Sequence, residues 1–139
     1  MAWSICRLAA GHLAAVAAIQ RQSPEAAQWN PEDYLGYDCF VAICNGTVAG
    51  FLVTRTIAAG EHEILNLAVA PDFRRQGVAK YLISEGIVLL RGEIFLEVRA
   101  SNAAARNLYK YLNFEEVAIR PAYYEDPPES AIVMKFHSC

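Results

Sequence analysis

The sequence predicts a single mixed α/β domain with helices on both sides of one sheet. The chain has 139 residues, of which 55% are hydrophobic and 19% charged, a composition typical of a globular domain with one sizeable core. Strand-like and helix-like stretches alternate along it, but not strictly, which favours a mixed sheet. The sequence contains no repeat, low-complexity tract or interdomain linker, so residues 1–139 are expected to form one domain.

Composition also limits the function. The net charge of −3 argues against a general nucleic-acid binder. Apolar runs stay shorter than the ~18 residues that a membrane span needs, and the N-terminus lacks the pattern of a secretory signal peptide. We therefore expect a cytoplasmic protein that binds neither nucleic acid nor a membrane.

The cysteines and histidines do not form a recognisable metal site. Four cysteines, at positions 6, 39, 44 and 139, match no zinc spacing. We interpret them as small buried thiols in a reducing cytosol. The three histidines, at positions 12, 62 and 137, are scattered, so no metal is expected.

The N-terminal part of the chain predicts one strand and two helices. Alternation of apolar and polar residues predicts a strand at 3–8, and helical spacing of apolar residues predicts a helix at 11–22. A second, short helix is predicted at 29–35, because Asn30 is a typical N-cap and Pro31 a typical first helical residue.

The remaining elements follow from turn signals and apolar patterns. Asn45-Gly46 is a strong hairpin turn, and Gly92 and Asn113 are typical helix ends. Tyr123-Tyr124 falls in a predicted loop between the last two strands. The predicted elements are strands at 38–44, 47–57 and 62–70, a helix at 77–91, a strand at 93–99, a helix from Ser101 or Asn102 to residue 112, and strands at 114–120 and 131–137.

One stretch, at 66–80, combines a strand end, a turn and a helix start. The first N–H groups of a helix have no internal partner, and the helix dipole favours negative charge there. The small residues Gly77 and Ala79 let a phosphate approach the backbone, and Arg74, Arg75 and Lys80 add positive charge. These features predict an anion cradle, although a basic helix start on a plain surface is also common.

Glu97 is unusual because it lies within the apolar strand at 93–99. Burying a carboxylate without a partner costs on the order of several kcal/mol of folding free energy. Glu97 is therefore paired, solvated in a cleft, or functional. Arg99, two residues along on the same face, is the obvious partner for a salt bridge.

Several of these stretches resemble known acetyltransferases. R-R-Q-G-V-A at 74–79 resembles the Arg/Gln-x-x-Gly-x-Gly/Ala signature with which the GNAT superfamily of N-acetyltransferases holds the pyrophosphate of acetyl-coenzyme A. Three further stretches resemble the bacterial ribosomal-protein-alanine N-acetyltransferase group. They are E-I-L-N-L-A-V-A-P at 63–71, L-E-V-R-A-S-N-A-A-A-x-x-L-Y at 96–109, and A-I-R-P-A-Y-Y at 118–124 followed by A-I-V-M at 131–134. The resemblance is strongest from 63 to 134 and weak before residue 50.

The resemblance implies a mostly antiparallel sheet with the element order β-α-α-β-β-β-α-β-α-β-β. It also implies that Glu97 is a general base and Tyr109 a general acid, although Tyr109 also fits a core aromatic. The coenzyme A contacts that it implies are Leu67, Ala68 and Val69 for the pantetheine arm, Arg74, Arg75, Gln76, Gly77, Val78, Ala79 and Lys80 for the pyrophosphate, and Asn102.

For the acceptor, the resemblance places Tyr123 and Tyr124 beside a peptide-binding groove, although both also fit plain surface aromatics. Trp29 and Tyr34 are candidates for the opposite wall. Two departures from the family pattern matter. Leu112-Asn113-Phe114 stands where Leu-Gly-Phe is usual, and Asn still tolerates the left-handed conformation that the helix end requires. The short link at 91–93 is expected to alter only the far edge of the fold.

Acetyl transfer to an amine requires a neutral amine, a stabilised oxyanion and a protonated leaving thiolate. An α-amine has a pKa of ~7.7–8.0. The pKa of a lysine amine, ~10.4, is about 2.5 units higher, so a lysine amine is harder to deprotonate at neutral pH. The backbone N–H of Val69 is a candidate to stabilise the oxyanion.

The leading hypothesis is thus transfer from acetyl-coenzyme A to a protein N-terminus, most specifically the N-terminal alanine of a small-subunit ribosomal protein. Other protein N-termini, a lysine side chain or a small amine remain alternative acceptors. A coenzyme A-binding sensor without turnover is an alternative of a different class.

Overall fold

The computed structural model describes residues 3–125 and 128–137. Its 7 strands form one sheet in the order β1-β2-β3-β4-β5-β7-β6. The strands are β1 (Trp3–Arg7), β2 (Asp38–Cys44), β3 (Thr47–Ala58), β4 (Glu61–Val69), β5 (Glu93–Arg99), β6 (Glu115–Glu125) and β7 (Pro128–His137). The α-helices of the described residues are α1 (Leu13–Arg21), α2 (Val78–Leu90) and α3 (Ala103–Tyr111), and 3₁₀ helices lie at Ala10–His12, Pro31–Gly36 and Pro71–Phe73.

The sheet is antiparallel except between β4 and β5, which run parallel. Their register pairs Glu61, His62 and Glu63 of β4 only with residues 93–95 of β5. At this end the chains approach closely, since a Cβ on Gly92 would lie 2.3 Å from the carbonyl oxygen of Gly60. Beyond Glu63 the two strands separate, and a cleft opens between them.

The core consists of two clusters, one on each face of the sheet. Residues of β3 alternate between them: Leu52 packs with α2 and α3 in one cluster, whereas Phe51 and Val53 pack with α1 and Tyr34 in the other. This alternation follows from the two-residue period of a strand. It confirms the prediction of a mixed sheet with helices on both sides.

Helix ends follow the local chemistry of the sequence. The Asn102 side chain accepts from the Ala105 N–H at 3.1 Å and so caps α3. Asn113 takes the left-handed conformation, with φ 73°, as expected of the residue that ends this helix. Asn30 caps the segment at Pro31–Gly36 through the Glu32 N–H. That segment is a 3₁₀ helix rather than the α-helix that its N-cap suggested.

The placement of Tyr123 and Tyr124 in a loop was wrong. Both lie in β6, which extends to Glu125. The strand was predicted to end at residue 120, but β6 is an edge strand paired with β7, and an edge strand tolerates a proline such as Pro121. The β6–β7 register shifts between Arg120 and Tyr124, and Ala122 adopts φ 53°. This irregularity lies beside the cleft and changes the direction of the side chains that follow it.

The cysteine prediction holds only in part. Cys39 and Cys44 are buried free thiols, but Cys6 is exposed on the edge strand β1, and Cys139 lies outside the described residues. Burial raises the pKa of the Cys39 thiol to about 11.

Over residues 3–125 and 128–137, no group of three or more His, Cys, Asp or Glu side chains is placed to hold a metal ion. No helix in those ranges has both the length and the apolarity to cross a bilayer.

Candidate active site

The separation of β4 from β5 opens a cleft of about 990 Å³. Its walls come from β4, β5, α3, β6 and the segment that follows α1. Glu97 and Tyr109 both line it. The structure therefore brings the two residues implied as base and acid into one cavity, although they lie on different elements.

The backbone of β4 faces this cleft. Ala70 donates to the Ala49 carbonyl at 2.8 Å, and the β3–β4 register is regular from Val69 to Asn66. Hydrogen-bonded and non-bonded pairs alternate in an antiparallel ladder, so the N–H groups of Leu67 and Val69 point away from β3. They point towards the side from which β5 has separated. The Leu67 N–H is already used, because it donates to Asn66 Oδ1 at 3.0 Å.

Glu97 is held by a residue that the sequence did not suggest. Its Oε1 accepts from Arg120 Nη1 at 2.6 Å, and its Oε2 is buried without a hydrogen-bond partner. The expected partner, Arg99, instead lies 3.4 Å from Glu129. The Glu97 carboxylate raises the pKa of Arg120 above its ordinary value through this hydrogen bond. Glu97 is thus both paired and directed into a cleft, two of the possibilities left open by its position in an apolar strand.

Tyr109 lies on α3 and is 6% exposed. Its ring packs edge-on against Phe114 at a centroid distance of 5.3 Å. Burial raises the pKa of its hydroxyl well above the ordinary value of a tyrosine. The phenol therefore keeps its proton at neutral pH, the form that a general acid requires. Tyr109 combines the two interpretations given to it, since it both packs in the core and lines the cleft.

The start of α2 forms the predicted cradle. Gly77 is the residue before the helix, with φ 88°, and Arg75 also has a positive φ, of 64°. The first intrahelical bond runs from the Tyr81 N–H to the Gly77 carbonyl at 3.0 Å. The N–H groups of the first three helical residues, Val78, Ala79 and Lys80, therefore have no acceptor within the helix. Such a group of N–H donors favours an anion.

The side chains of the cradle contribute less charge to it than the sequence suggested. Arg74 donates to the carbonyls of Val69 and Gln22 and to the Ser23 hydroxyl, at 2.8–3.3 Å. Gln76 donates to the Asp72 carbonyl, and the Lys80 ammonium lies 4.4 Å from the Tyr111 ring. Val78 is buried in the core. Anion binding here would therefore rest on backbone N–H groups more than on Arg74 or Lys80.

Three of the four residues that were expected to contact the acceptor line the cleft. Tyr123 and Tyr124 line it, with Arg120 lying 4.1 Å from the Tyr123 ring and Arg99 4.2 Å from the Tyr124 ring. Trp29 lines the other side and is 49% exposed. These aromatic side chains flank the cavity that contains Glu97.

Tyr34 does not lie on that wall, contrary to the sequence-based expectation. It is 1% exposed, and its hydroxyl donates to Gln20 Oε1 at 2.5 Å and accepts from Asn66 Nδ2 at 3.1 Å. A tyrosine hydroxyl that finds its partners inside the core is not available to an acceptor. Asn102, implied as a coenzyme A contact, does line the cleft, but its side-chain Oδ1 is occupied in capping α3.

Sequence reasoning missed Arg120 and Asn66. Asn66 carried a signal that could have been used, because it is a polar residue within the apolar strand at 64–69 and a buried amide needs partners. Arg120 carried none, since its pairing with Glu97 depends on the distance between strands β5 and β6.

Comparison with known proteins identifies the family. The sequence profile of the acetyltransferase (GNAT) family matches residues 12–114. The chain belongs to the GNAT family. It is 45% identical over 96 residues to the [ribosomal protein bS18]-alanine N-acetyltransferase of Escherichia coli (strain K12), a match that covers 65% of this chain and 64% of that protein. The chain therefore spans slightly less than two thirds of that relative.

One further relative and one crystal structure extend the likeness. The enzyme of the same name from Salmonella typhimurium (strain LT2) is 36% identical over 124 residues, or 81% of this chain and 83% of that protein. The crystal structure of the ribosomal-protein-S18-alanine N-acetyltransferase from Escherichia coli has a TM-score of 0.85 and 34% identity, and the match covers 98% of this chain and 94% of that one. The fold described above is thus the GNAT fold.

GNAT acetyltransferases use acetyl-coenzyme A, and this chain has features that fit it. The N–H groups at the start of α2 suit a pyrophosphate. Val69 and Ala79 contribute both to the cradle and to the large cleft, so the two sites adjoin. An extended molecule with its phosphates at α2 would reach the cleft between β4 and β5 along the exposed backbone edge of β4.

Proposed function

We propose that this GNAT protein transfers the acetyl group of acetyl-coenzyme A to the N-terminal α-amine of a protein. The most specific acceptor is the N-terminal alanine of a small-subunit ribosomal protein. The observation that carries this proposal is the buried, unpartnered Oε2 of Glu97 in a cleft that Tyr109 also lines. A buried oxygen without a partner is costly, and an amine N–H entering the cleft would satisfy it.

Glu97 acts as the general base in this proposal. Arg120 occupies Oε1 and fixes the carboxylate, which leaves Oε2 to accept a proton from the amine directly or through one water. A tenth or so of an α-amine is already neutral at pH 7, given its pKa of ~7.7–8.0. A carboxylate is a modest base, and a modest base is sufficient for such an amine.

Tyr109 acts as the general acid. A tyrosine hydroxyl is protonated at neutral pH, and Tyr109 lines the cleft, so it can give its proton to the departing thiolate of coenzyme A. The acetyl thioester supplies the activated acyl carbon. The Val69 N–H, which points away from β3 towards the cleft, is the proposed donor to the carbonyl oxygen as negative charge develops on it.

The acceptor class rests on the amine chemistry and on the relatives. Two relatives at 45% and 36% identity are named for alanine acetylation of a ribosomal protein. Trp29 and Tyr123, on opposite sides of the cleft, offer exposed aromatic surface to a peptide chain. The reaction would take place in the cytoplasm, where ribosomal proteins are made.

The proposal is tested by following thiol release with acetyl-coenzyme A and a panel of peptides. The panel begins with Ala, Ser or Met, and includes one peptide with a blocked N-terminus and a free lysine, and a small amine. We expect the highest kcat/KM for the Ala peptide. A preference for the lysine peptide or the small amine would assign a different class of acceptor. Binding of acetyl-coenzyme A without thiol release on any acceptor would indicate a sensor.

The ribosomal acceptor is tested in cells. Mass spectrometry of protein N-termini, with and without this protein, should show loss of acetylation at the N-terminal alanine of one small-subunit ribosomal protein. Unchanged ribosomal N-termini, together with loss at another protein, would assign a different acceptor.

A further inference from the structure

Asn66 is a buried amide in the floor of the cleft, and the chemistry above assigns it no role. It lies in β4, is 6% exposed and lines the cavity. Its Oδ1 accepts from the Ala27 N–H at 3.2 Å and the Leu67 N–H at 3.0 Å. Its Nδ2 donates to the Ala27 carbonyl at 2.9 Å, to Tyr34 at 3.1 Å and to Gln20 at 3.3 Å.

The two bonds to Ala27 are reciprocal. The Asn66 side chain accepts from the N–H and donates to the carbonyl of the same residue, as a neighbouring strand would. Ala27 belongs to the segment 23–30, which follows α1 and has no helix or strand of its own until Pro31. A segment without a ladder depends on side chains for its backbone hydrogen bonds. The Asn66 side chain therefore makes the pair of hydrogen bonds to Ala27 that the backbone of a neighbouring strand would otherwise make.

Segment 23–30 forms one wall of the cleft, since Glu25 and Trp29 line it. The segment also holds itself in part, since Gln28 Nε2 donates to the carbonyls of Gln20, Ser23 and Ala26, and one further bond leads back to the same network. Gln20 Nε2 donates to the Trp29 carbonyl at 2.6 Å, and Gln20 Oε1 accepts from both Asn66 and Tyr34. The position of Trp29 is thus connected to Asn66 through Ala27 on one side and Gln20 on the other.

The start of this segment is held from the same strand. Arg74 donates to the Val69 carbonyl through Nε, and to Gln22 and Ser23 through Nη2. The segment is therefore fixed to the end of β4 at its beginning and to Asn66 at its middle. Both contacts connect the strand that faces the acetyl donor to the wall on the acceptor side.

From these contacts we infer that Asn66 is a positioning residue that sets the acceptor-binding wall, Ser23–Asn30, against the donor-binding strand β4. The inference rests on the proposed function for the identity of the acceptor. It does not require Asn66 to touch either substrate. Loss of its bonds to Ala27 releases the wall, so the acceptor binds less well, while the cradle at α2 stays as it is.

Two variants test this role. Asn66→Ala removes every side-chain bond. Asn66→Asp is nearly isosteric and keeps an oxygen to accept from Ala27 and Leu67, but it replaces the Nδ2 donors with a second acceptor oxygen and adds a negative charge. We expect KM for the Ala peptide to rise roughly 10-fold or more, because small displacements of positioning groups have large effects. In Asn66→Asp, which keeps the bond from the Leu67 N–H, the dissociation constant of acetyl-coenzyme A, measured by calorimetry, should change by less than about threefold, since the α2 cradle is untouched.

Thr54→Val is the matched control. Thr54 is fully buried on the neighbouring strand β3, and its hydroxyl donates to the Asp38 carbonyl at 2.5 Å. Its substitution also removes a buried side-chain bond to backbone, but that bond lies outside the cleft and segment 23–30. We expect it to lower the melting temperature without raising the acceptor KM.

Hydrogen exchange provides a readout that does not depend on turnover. In both Asn66 variants, but not in Thr54→Val, the backbone amides of 23–30 should exchange faster than they do in the unaltered protein. The amides of β4 and α2 should show a smaller change. Unchanged exchange in this segment, or an acceptor KM within twofold of the Thr54→Val value, would overturn the inference. If the unaltered protein acetylates no peptide, the proposed function fails, and exchange of segment 23–30 still decides whether Asn66 holds it.

Discussion

The carboxylate of Glu97 on β5 meets the guanidinium of Arg120 on β6 at 2.6 Å, across the intervening strand β7. The two residues are not neighbours in the sheet, and the contact joins the floor of the cleft to its aromatic rim. The contact also makes the two carboxylate oxygens unequal. Oε1 accepts the hydrogen bond from Arg120, whereas Oε2 is buried and has no hydrogen-bond partner. This difference determines which oxygen an acceptor amine would meet.

The cradle at the start of α2 is tested with Gly77→Asp. The new carboxylate would lie among the N–H groups that we assign to the pyrophosphate. Binding of acetyl-coenzyme A should weaken at least ~100-fold, because like charges about 4 Å apart near a protein surface repel by a few kcal/mol. Calorimetric titration measures the change.

Gly46→Asp is the control for backbone strain. Gly46 also has a positive φ, of 80°, and lies in the β2–β3 turn, where an added Cβ would meet no atom within 4 Å. The substitution introduces the same charge and a similar strain in a turn outside the α2 cradle, and should leave binding unchanged. Equal affinities for the two variants would remove the cradle assignment.

The general acid is tested with Tyr109→Phe. The variant keeps the ring that packs against Phe114 and removes the hydroxyl, so kcat should fall ~10²–10⁴-fold with little loss of stability. Tyr111→Phe, on the same helix but 63% exposed, should retain full activity. Turnover at the unaltered rate in Tyr109→Phe would assign Tyr109 to the core alone.

The general base is tested with Glu97→Gln, which can still accept the Arg120 bond but cannot take a proton. At pH 7 its kcat/KM on an Ala peptide should fall ~10²-fold or more. The deficit should shrink above pH ~8, where the α-amine is neutral without help, whereas a lysine acceptor would keep the deficit to about pH 10. A pH–rate profile measures both.

Glu116→Gln is the control for that profile, because Glu116 is also paired with an arginine, Arg106, at 2.8 Å and does not line the cleft. It should follow the profile of the unaltered protein. A deficit in Glu97→Gln that stays flat from pH 7 to about 9.5 would count against a base that acts on an α-amine, and would favour a positioning role.

Alkaline stability provides a test of the burial of Tyr109. Because burial raises the pKa of Tyr109 in the folded protein, its contribution to stability is complete below the ordinary tyrosine pKa of ~10 and is lost as the pH rises above it. Each pH unit above ~10 should remove up to about 1.4 kcal/mol of unfolding free energy. Chemical denaturation at pH 9 to 11 should show a shallower decline for Tyr109→Phe than for Tyr111→Phe; parallel curves would mean that the hydroxyl is solvated.

Local chemistry was sufficient for much of this protein. The two-residue period of a strand places Ile94, Leu96 and Val98 on one face of 93–99, opposite Glu97, and all three are buried. Asn113 was expected to end its helix in the left-handed conformation, and it does. These features depend on residues within a few positions of one another, where strand period and helix-end geometry leave few alternatives.

Contacts between distant residues could not be obtained in this way. Arg99 lies two positions from Glu97, yet Arg120, 23 positions away, is the residue that pairs with it. Tyr34 was a candidate for the wall of the acceptor groove, but Gln20 and Asn66, from α1 and β4, satisfy its hydroxyl inside the core. The partner of a polar side chain depends on which elements are adjacent in space.

The sequence by itself determined the fold class, the strand–turn–helix junction at α2, and the strand that presents Glu97, because periodicity and turn chemistry are local properties. Only the tertiary structure decided that Glu97 and Tyr109 share a cleft, that Tyr123 and Tyr124 belong to a strand, and that Asn66 holds the opposite wall. The first depends on where β4 and β5 separate, the second on the pairing of β6 with β7, and the third on the segment that lies against β4. Each is a contact between elements distant in the chain, which no single stretch of sequence contains.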